Sequence, residues 1–133
     1  MAGVTGALLD TSIVIASSEA NTLDLPATAA ISVITLGELR AGVLIARNEV
    51  IAAARQVRLD AVKAAFAPLS VDEEVAERYG DVLAVARSER RTAKATDLLI
   101  IATAAATGRE LFTLDVAQAS LARAAGVPVT TAR

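Results

Sequence analysis

The chain contains no cysteine and no histidine among its 133 residues. Without cysteine there are no disulfides, no thiolate metal sites and no thiol nucleophile. The missing histidine removes the commonest general base and the imidazole metal ligands. Aromatic residues make up only 2% of the chain, so base stacking on aromatic platforms is not its main mode of binding. Every long apolar stretch has polar interruptions, which gives no membrane span. The N-terminus has no basic region followed by a long apolar core, so no secretion signal is read and the cytoplasm is the expected compartment. Chemistry built from what remains must use carboxylates, hydroxyls, Lys and Arg, or a hard metal held by oxygen. Mg²⁺ and Mn²⁺ suit such ligands better than Zn²⁺.

What is present is a hydrophobic content of 54% and a net charge of −2. The length fits one domain spanning residues 1–133, since a chain of about 150 residues buries roughly 70% of its unfolded surface. The weak negative charge does not announce a nucleic-acid binder, but local distribution matters more than the sum. Arg87, Arg90, Arg91 and Lys94 cluster in one short segment. They read either as a backbone-holding patch or as a solvated helix end.

The chain is organised around Gly6-Ala7-Leu8-Leu9-Asp10-Thr11-Ser12. An apolar run ends in a carboxylate and two hydroxyls, which reads as a buried strand presenting Asp10 where a helix begins. In open α/β sheets, ligands sit outside the carboxyl ends of the strands. A short helix to about Ala20 and a loop over residues 21–26 follow. Ala29–Ile34 reads as a second strand, and Thr35-Leu36-Gly37-Glu38 has the spacing of a capping box. The helix it opens is expected to reach Arg47, and a further helix starts near Asn48. Val50, Ala54, Val57, Ala61 and Ala65 recur at helical spacing there, predicting the apolar seam of a projecting helical hairpin.

Ala67–Val71 reads as an edge-like extended link, and Ser70-Val71-Asp72-Glu73 as a capping box for a helix to about Arg91. Thr96-Asp97 opens an almost wholly apolar, hence buried, helix that Gly108 stops. Glu110–Leu114 reads as a strand ending at Asp115. The last elements are a helix from Val116 to Ala125 and an edge strand, Val127–Val129. Alternating strands and helices imply an α/β fold with a central parallel sheet and helices on both faces.

Asp10, Glu38, Asp97 and Asp115 each have a purely structural reading. Asp10 and Asp115 suit N-caps, Glu38 the end of a capping box, and Asp97 a first-turn acid favoured by the helix dipole. Together they differ, because strand-to-helix transitions of a parallel sheet share one edge. Two carboxylates about 4 Å apart repel by about 4 kcal/mol at an effective dielectric near 20. A divalent cation turns that repulsion into binding. A carboxylate cluster without His therefore favours Mg²⁺, with Mn²⁺ as substitute, and the hydroxyls of Thr11, Ser12 and Thr113 orient ligands or water.

The ordered motifs Leu8-Leu9-Asp10-Thr11-Ser12, Gly37-Glu38-Leu39-Arg40, Asp97–Ala104 and Thr113-Leu114-Asp115 resemble the PIN domain, and more narrowly the VapC-type ribonuclease toxins of bacterial toxin–antitoxin pairs. The resemblance covers nearly the whole chain. It implies a three-layer α/β/α fold, with Asp10, Glu38, Asp97 and Asp115 as metal-binding catalytic acids supported by Thr11 or Ser12. It also implies an RNA substrate, a cognate antitoxin lying in a groove partly formed by the hairpin from Thr35 to Ala65, and a homodimer. Many relatives carry an aromatic residue shortly after the last acid, where this chain has Val116-Ala117-Gln118-Ala119.

The expected activity is Mg²⁺-dependent endoribonuclease cleavage that arrests translation and growth. Arg40 and the Arg87, Arg90, Arg91 and Lys94 group are candidates to hold the RNA backbone. Arg40 also suits an ion pair with a neighbouring acid. Two alternatives compete. A PIN-like domain without activity would serve as an RNA- or protein-binding module. A receiver-like signalling domain would need a Lys near the end of a later strand, and none follows Lys94.

Overall fold

The computed structural model describes residues 6–20 and 28–131. Strand β1 (Ala7–Leu9) leads into helix α1 (Thr11–Ala20), and β2 (Ala29–Ala30) into α2 (Val33–Leu44) and α3 (Glu49–Ala65). Then come α4 (Glu73–Ser88), α5 (Ala95–Thr107), β3 (Glu110–Thr113), α6 (Val116–Ala124) and β4 (Val129–Thr131). The four strands are all parallel, in the order β2-β1-β3-β4. The chain leaves β1 for β2 on one side and reaches β3 on the other, so the sheet has a switch point between β1 and β3. Crevices at such points, outside the carboxyl ends, are where ligands bind in open α/β sheets.

Strand periodicity divides the core in two. Leu8, facing Ala30 and Leu111 in register, packs with Val82, Leu98, Ile101 and Leu121 from α4, α5 and α6. The next residue, Leu9, pairs with Phe112 and points the other way, toward Ile13, Leu39, Leu59 and Val62 from α1, α2 and α3. The three-layer α/β/α architecture follows. The all-round apolar α5 is buried as expected, with Ile100 and Ile101 fully covered. Burial of one such side chain contributes about 1.5–3 kcal/mol. Its polar Thr103 is satisfied by donating to the Leu99 carbonyl at 2.7 Å. Gly108, with φ 64°, ends the helix in the left-handed conformation that favours glycine.

Several boundaries differ from the sequence expectations. The second strand stops at Ala30, because Ser32 caps α2 by accepting from the Ile34 amide. Thr35 and Glu38 therefore lie inside α2 rather than at its start, and they form no capping box. That helix also stops at Leu44, short of Arg47. Asp72, not Ser70, caps α4, which ends at Ser88. The link through Leu69 makes a single parallel bridge to Ser32, and the final strand begins at Val129. The loop expected over residues 21–26 lies outside the described residues.

The α2–α3 hairpin is present, held by Arg55 donating to the Gly42 carbonyl at 2.7 Å. Its expected seam is not the buried one. Leu59 and Val62 face the core, while Val50 and Val57 are 80% and 69% exposed and Ala54, Ala61 and Ala65 lie beside them on the outer face. The helix carries two apolar stripes, and the one with the bulkier side chains took the core. Among the described residues, no helix is long and apolar enough to cross a membrane.

Candidate active site

Asp10 stands where β1 ends, its amide extending the sheet ladder to the Phe112 carbonyl at 2.9 Å. It is 6% exposed, and so deep a carboxylate needs donors. The chain supplies them locally. Asp10 Oδ2 accepts from the Ser12 amide at 3.0 Å and the Ser12 hydroxyl at 2.6 Å. Thr113, the last residue of β3, stands 3.4 Å from the same oxygen. Asp10 Oδ1 accepts from Gln118 Nε2 at 3.3 Å.

Glu38 reaches the same edge from the second turn of α2, where its Oε1 accepts from Thr11 Oγ1 at 2.6 Å. Thr35 Oγ1 lies 2.9 Å from the Thr11 hydroxyl. Since Thr11 gives its one proton to the carboxylate, Thr35 is the donor to Thr11. Asp97 sits in the first turn of α5, and Asp115 caps α6 by accepting from the Gln118 amide at 3.0 Å.

The electrostatics tie these acids together. Partial burial raises the Asp97 carboxyl above its ordinary value, and the charges of Asp10, Asp115 and Glu38 push it further the same way. Lys94 pulls against them. Asp97 thus feels all three other acids at once. Among the described residues, no three carboxylates are gathered tightly enough to hold one ion as they stand. Each is engaged by its own donor, Glu38 by the Thr11 hydroxyl, Asp10 by Ser12 and Asp115 by the Gln118 amide. The donor set is oxygen alone and the local charge is negative, which fits a hard divalent cation and not a thiophilic one.

The basic residues divide. Arg91 and Lys94 line a cavity of about 500 Å³ with Asp97, Asp115, Gln118 and Leu121. Arg91 is already engaged, with Glu89 at 2.7 Å and the Ser120 hydroxyl at 2.8 Å. Arg87, in the last turn of α4, and Arg90, just after it, are exposed and lie outside that lining. Arg40 faces solvent on α2 and reaches Gln56 at 3.5 Å, so the alternative of an ion pair with an acid is not what its bonds show. A second, wider groove of about 820 Å³ runs from Glu38 past Ile15 and Leu39 to Val50, Ala54 and Val57. The outer stripe of α3 forms its wall.

Sequence reasoning missed Gln118 and the true place of Thr35. Gln118 is 4% exposed, on the same face of α6 as Leu121 and Ala122. That spacing was a usable signal, but a polar residue at the third helical position reads first as part of a cap.

The PIN domain family model matches residues 7–124. Ribonuclease VapC5 of Mycobacterium tuberculosis is 37% identical over 126 residues, covering 92% of each chain. Ribonuclease VapC4 of the same organism is 39% identical over 85 residues, 64% of this chain and 65% of that one. The crystal structure of VapBC-5 from M. tuberculosis, a member of the VapBC family of toxin–antitoxin systems, superposes with a TM-score of 0.81 at 35% identity, covering 93% of this chain and 97% of that one. The chain belongs to the PIN-domain family, and within it stands with the VapC proteins.

Proposed function

We propose that this protein is a ribonuclease toxin of a toxin–antitoxin pair, hydrolysing RNA phosphodiesters at the acidic edge of its sheet. The observation that carries the reading is the convergence of acids at the β1/β3 switch point, where Gln118 bonds Asp10, Asp115 and the Asp97 carbonyl, and where burial and the neighbouring acids raise the Asp97 carboxyl. The names of its relatives, ribonucleases and toxin–antitoxin complexes, support an RNA substrate and that biological setting. Arrest of translation and growth would follow from cleavage of cellular RNA.

Asp10 and Asp97 would hold a Mg²⁺ or Mn²⁺ ion, with Glu38 and Asp115 flanking them. A divalent cation bound there supplies Lewis-acid charge stabilisation and lowers the pKa of a coordinated water. The chain's own residues do the rest. Ser12 fixes the Asp10 carboxylate through two donors to one oxygen. Thr11 orients Glu38, the acid that would take a proton from an attacking water. Lys94 and Arg91, beside Asp97 in the cavity, offer positive charge to the RNA backbone. Arg87, Arg90 and Arg40 lie farther out and would add only diffuse attraction.

The groove from Glu38 along α3 suits the antitoxin. An extended or helical segment with apolar side chains would cover Val50 and Val57, and a basic side chain at its end would meet Glu38. Leu44, Ile45 and Val116 remain exposed outside this groove and are available to a homodimer. The function is tested by digesting RNA with wild type and Asp10→Asn in Mg²⁺, in Mn²⁺ and in EDTA. Cleavage by wild type with either ion, abolished by the substitution or by chelation, supports it. Equal cleavage by Asp10→Asn would place the activity at another site, and no cleavage by wild type with either ion would leave a binding module.

A further inference from the structure

Gln118 is a buried amide that touches three of the four acids. Its backbone N–H donates to the Asp115 carboxylate at 3.0 Å, and its side-chain Nε2 donates to Asp10 Oδ1 at 3.3 Å. The same Nε2 stands 3.4 Å from the Asp97 backbone carbonyl, and Oε1 accepts from Thr113 Oγ1 at 2.7 Å. This network fixes which end of the amide is which. A flipped amide would turn its oxygen toward the Asp10 carboxylate and the Asp97 carbonyl, two acceptors with no proton between them.

We propose that Gln118 is a positioning residue that holds Asp10 and the first turn of α5 in register for divalent-cation binding; this rests on the nuclease reading above. The ends of β1 and β3 are already linked by the Asp10 amide on the Phe112 carbonyl, and Gln118 joins both of them to the first turn of α5. Being neutral, it adds no charge to a cluster already crowded with carboxylates. Its long donation to Oδ1 sets the plane of the Asp10 carboxylate while Ser12 holds Oδ2, so Oδ1 keeps a lone pair for an ion. Thr113 locks the amide from its other end, as outer partners lock metal ligands elsewhere. An apolar side chain of the same length would fill the space and lose the register.

The test measures Mn²⁺ affinity by electron paramagnetic resonance on wild type, Asp10→Asn, Gln118→Met and Gln118→Asn. The expected result is Mn²⁺ binding weakened roughly 10-fold or more in both Gln118 variants, the loss typical of outer partners of metal ligands. The Mn²⁺ concentration for half-maximal RNA cleavage should rise by the same factor, while KM for RNA at saturating Mn²⁺ stays near wild type. A folded Gln118→Met that binds Mn²⁺ as wild type does would overturn the proposal. If that variant does not fold, the Asn variant, which keeps an amide but falls short of Asp10, decides in the same way. Loss of folding in both would also overturn it, by making the residue purely structural. Failure of the wild type itself to bind Mn²⁺, or equal binding by Asp10→Asn, would instead sink the nuclease reading.

Discussion

Thr11 donates its hydroxyl proton to Glu38 at 2.6 Å, joining the first residue of α1 to the second turn of α2. Thr35 donates to Thr11 in turn, so a relay of two hydroxyls aims the carboxylate. Thr11→Val keeps the shape and removes the donor. Cleavage should fall by roughly 10-fold, the lower end for partners that orient metal ligands, and Thr11→Ser should restore it. Initial rates on one RNA oligonucleotide check both.

Asp97 predicts a conflict between stability and activity. Its carboxyl is raised, first by burial and then by its three acidic neighbours. Between the ordinary aspartate value and the raised one, the native state holds more protons than the unfolded chain, so stability falls as pH rises through that window. Asp97→Asn should flatten this dependence. In EDTA at neutral pH it should raise Tm, because it removes a charge that burial and the neighbouring acids disfavour. The same variant should not cleave RNA. Thermal melts across the acidic range decide; an unchanged profile would mean that Asp97 is not under like-charge pressure.

The outer stripe of α3 separates antitoxin binding from catalysis. Val57 is 69% exposed, so Val57→Asp should change stability by no more than about 0.5 kcal/mol. Cleavage should be unaffected. Affinity for the cognate antitoxin should drop at least about 10-fold, since the charge would be buried without a partner. Calorimetric titration with the antitoxin, beside an RNA assay, checks the separation.

Gly108 closes α5 at φ 64°, a conformation that costs a residue with a Cβ about 1–2 kcal/mol. Gly108→Ala should lower Tm by several degrees and leave cleavage intact below the transition. A melt unchanged within error would show that the helix end relaxes without strain.

The frame of the site was legible because Asp10 and Asp115 follow apolar strands, and a parallel sheet gathers strand ends at one edge. Glu38 was found through a wrong local reason. The β-branched run Ile31–Ile34 read as strand, but Ser32 starts the helix there and sets Glu38 a turn inside it. On α3, two apolar stripes compete, and only the fit of Leu59 and Val62 against Leu39 and Ile13 selects the inner one. Gln118 was hidden by its polarity, since burial of an amide depends on Thr113 at the end of β3 and on Asp10, 108 residues away in the chain. Local patterns carry the elements, and tertiary partners decide which face turns inward.

The central claim is that the four acids support attack by water on the phosphodiester. It is tested most directly by cleaving a defined RNA in heavy-oxygen water with Mg²⁺ and weighing the first-turnover products. The expected result is one heavy oxygen in the new terminal phosphate, no cyclic phosphate, and no product from Asp10→Asn. Unlabelled products ending in cyclic phosphate, which arise from attack by the ribose 2′-hydroxyl, would contradict it.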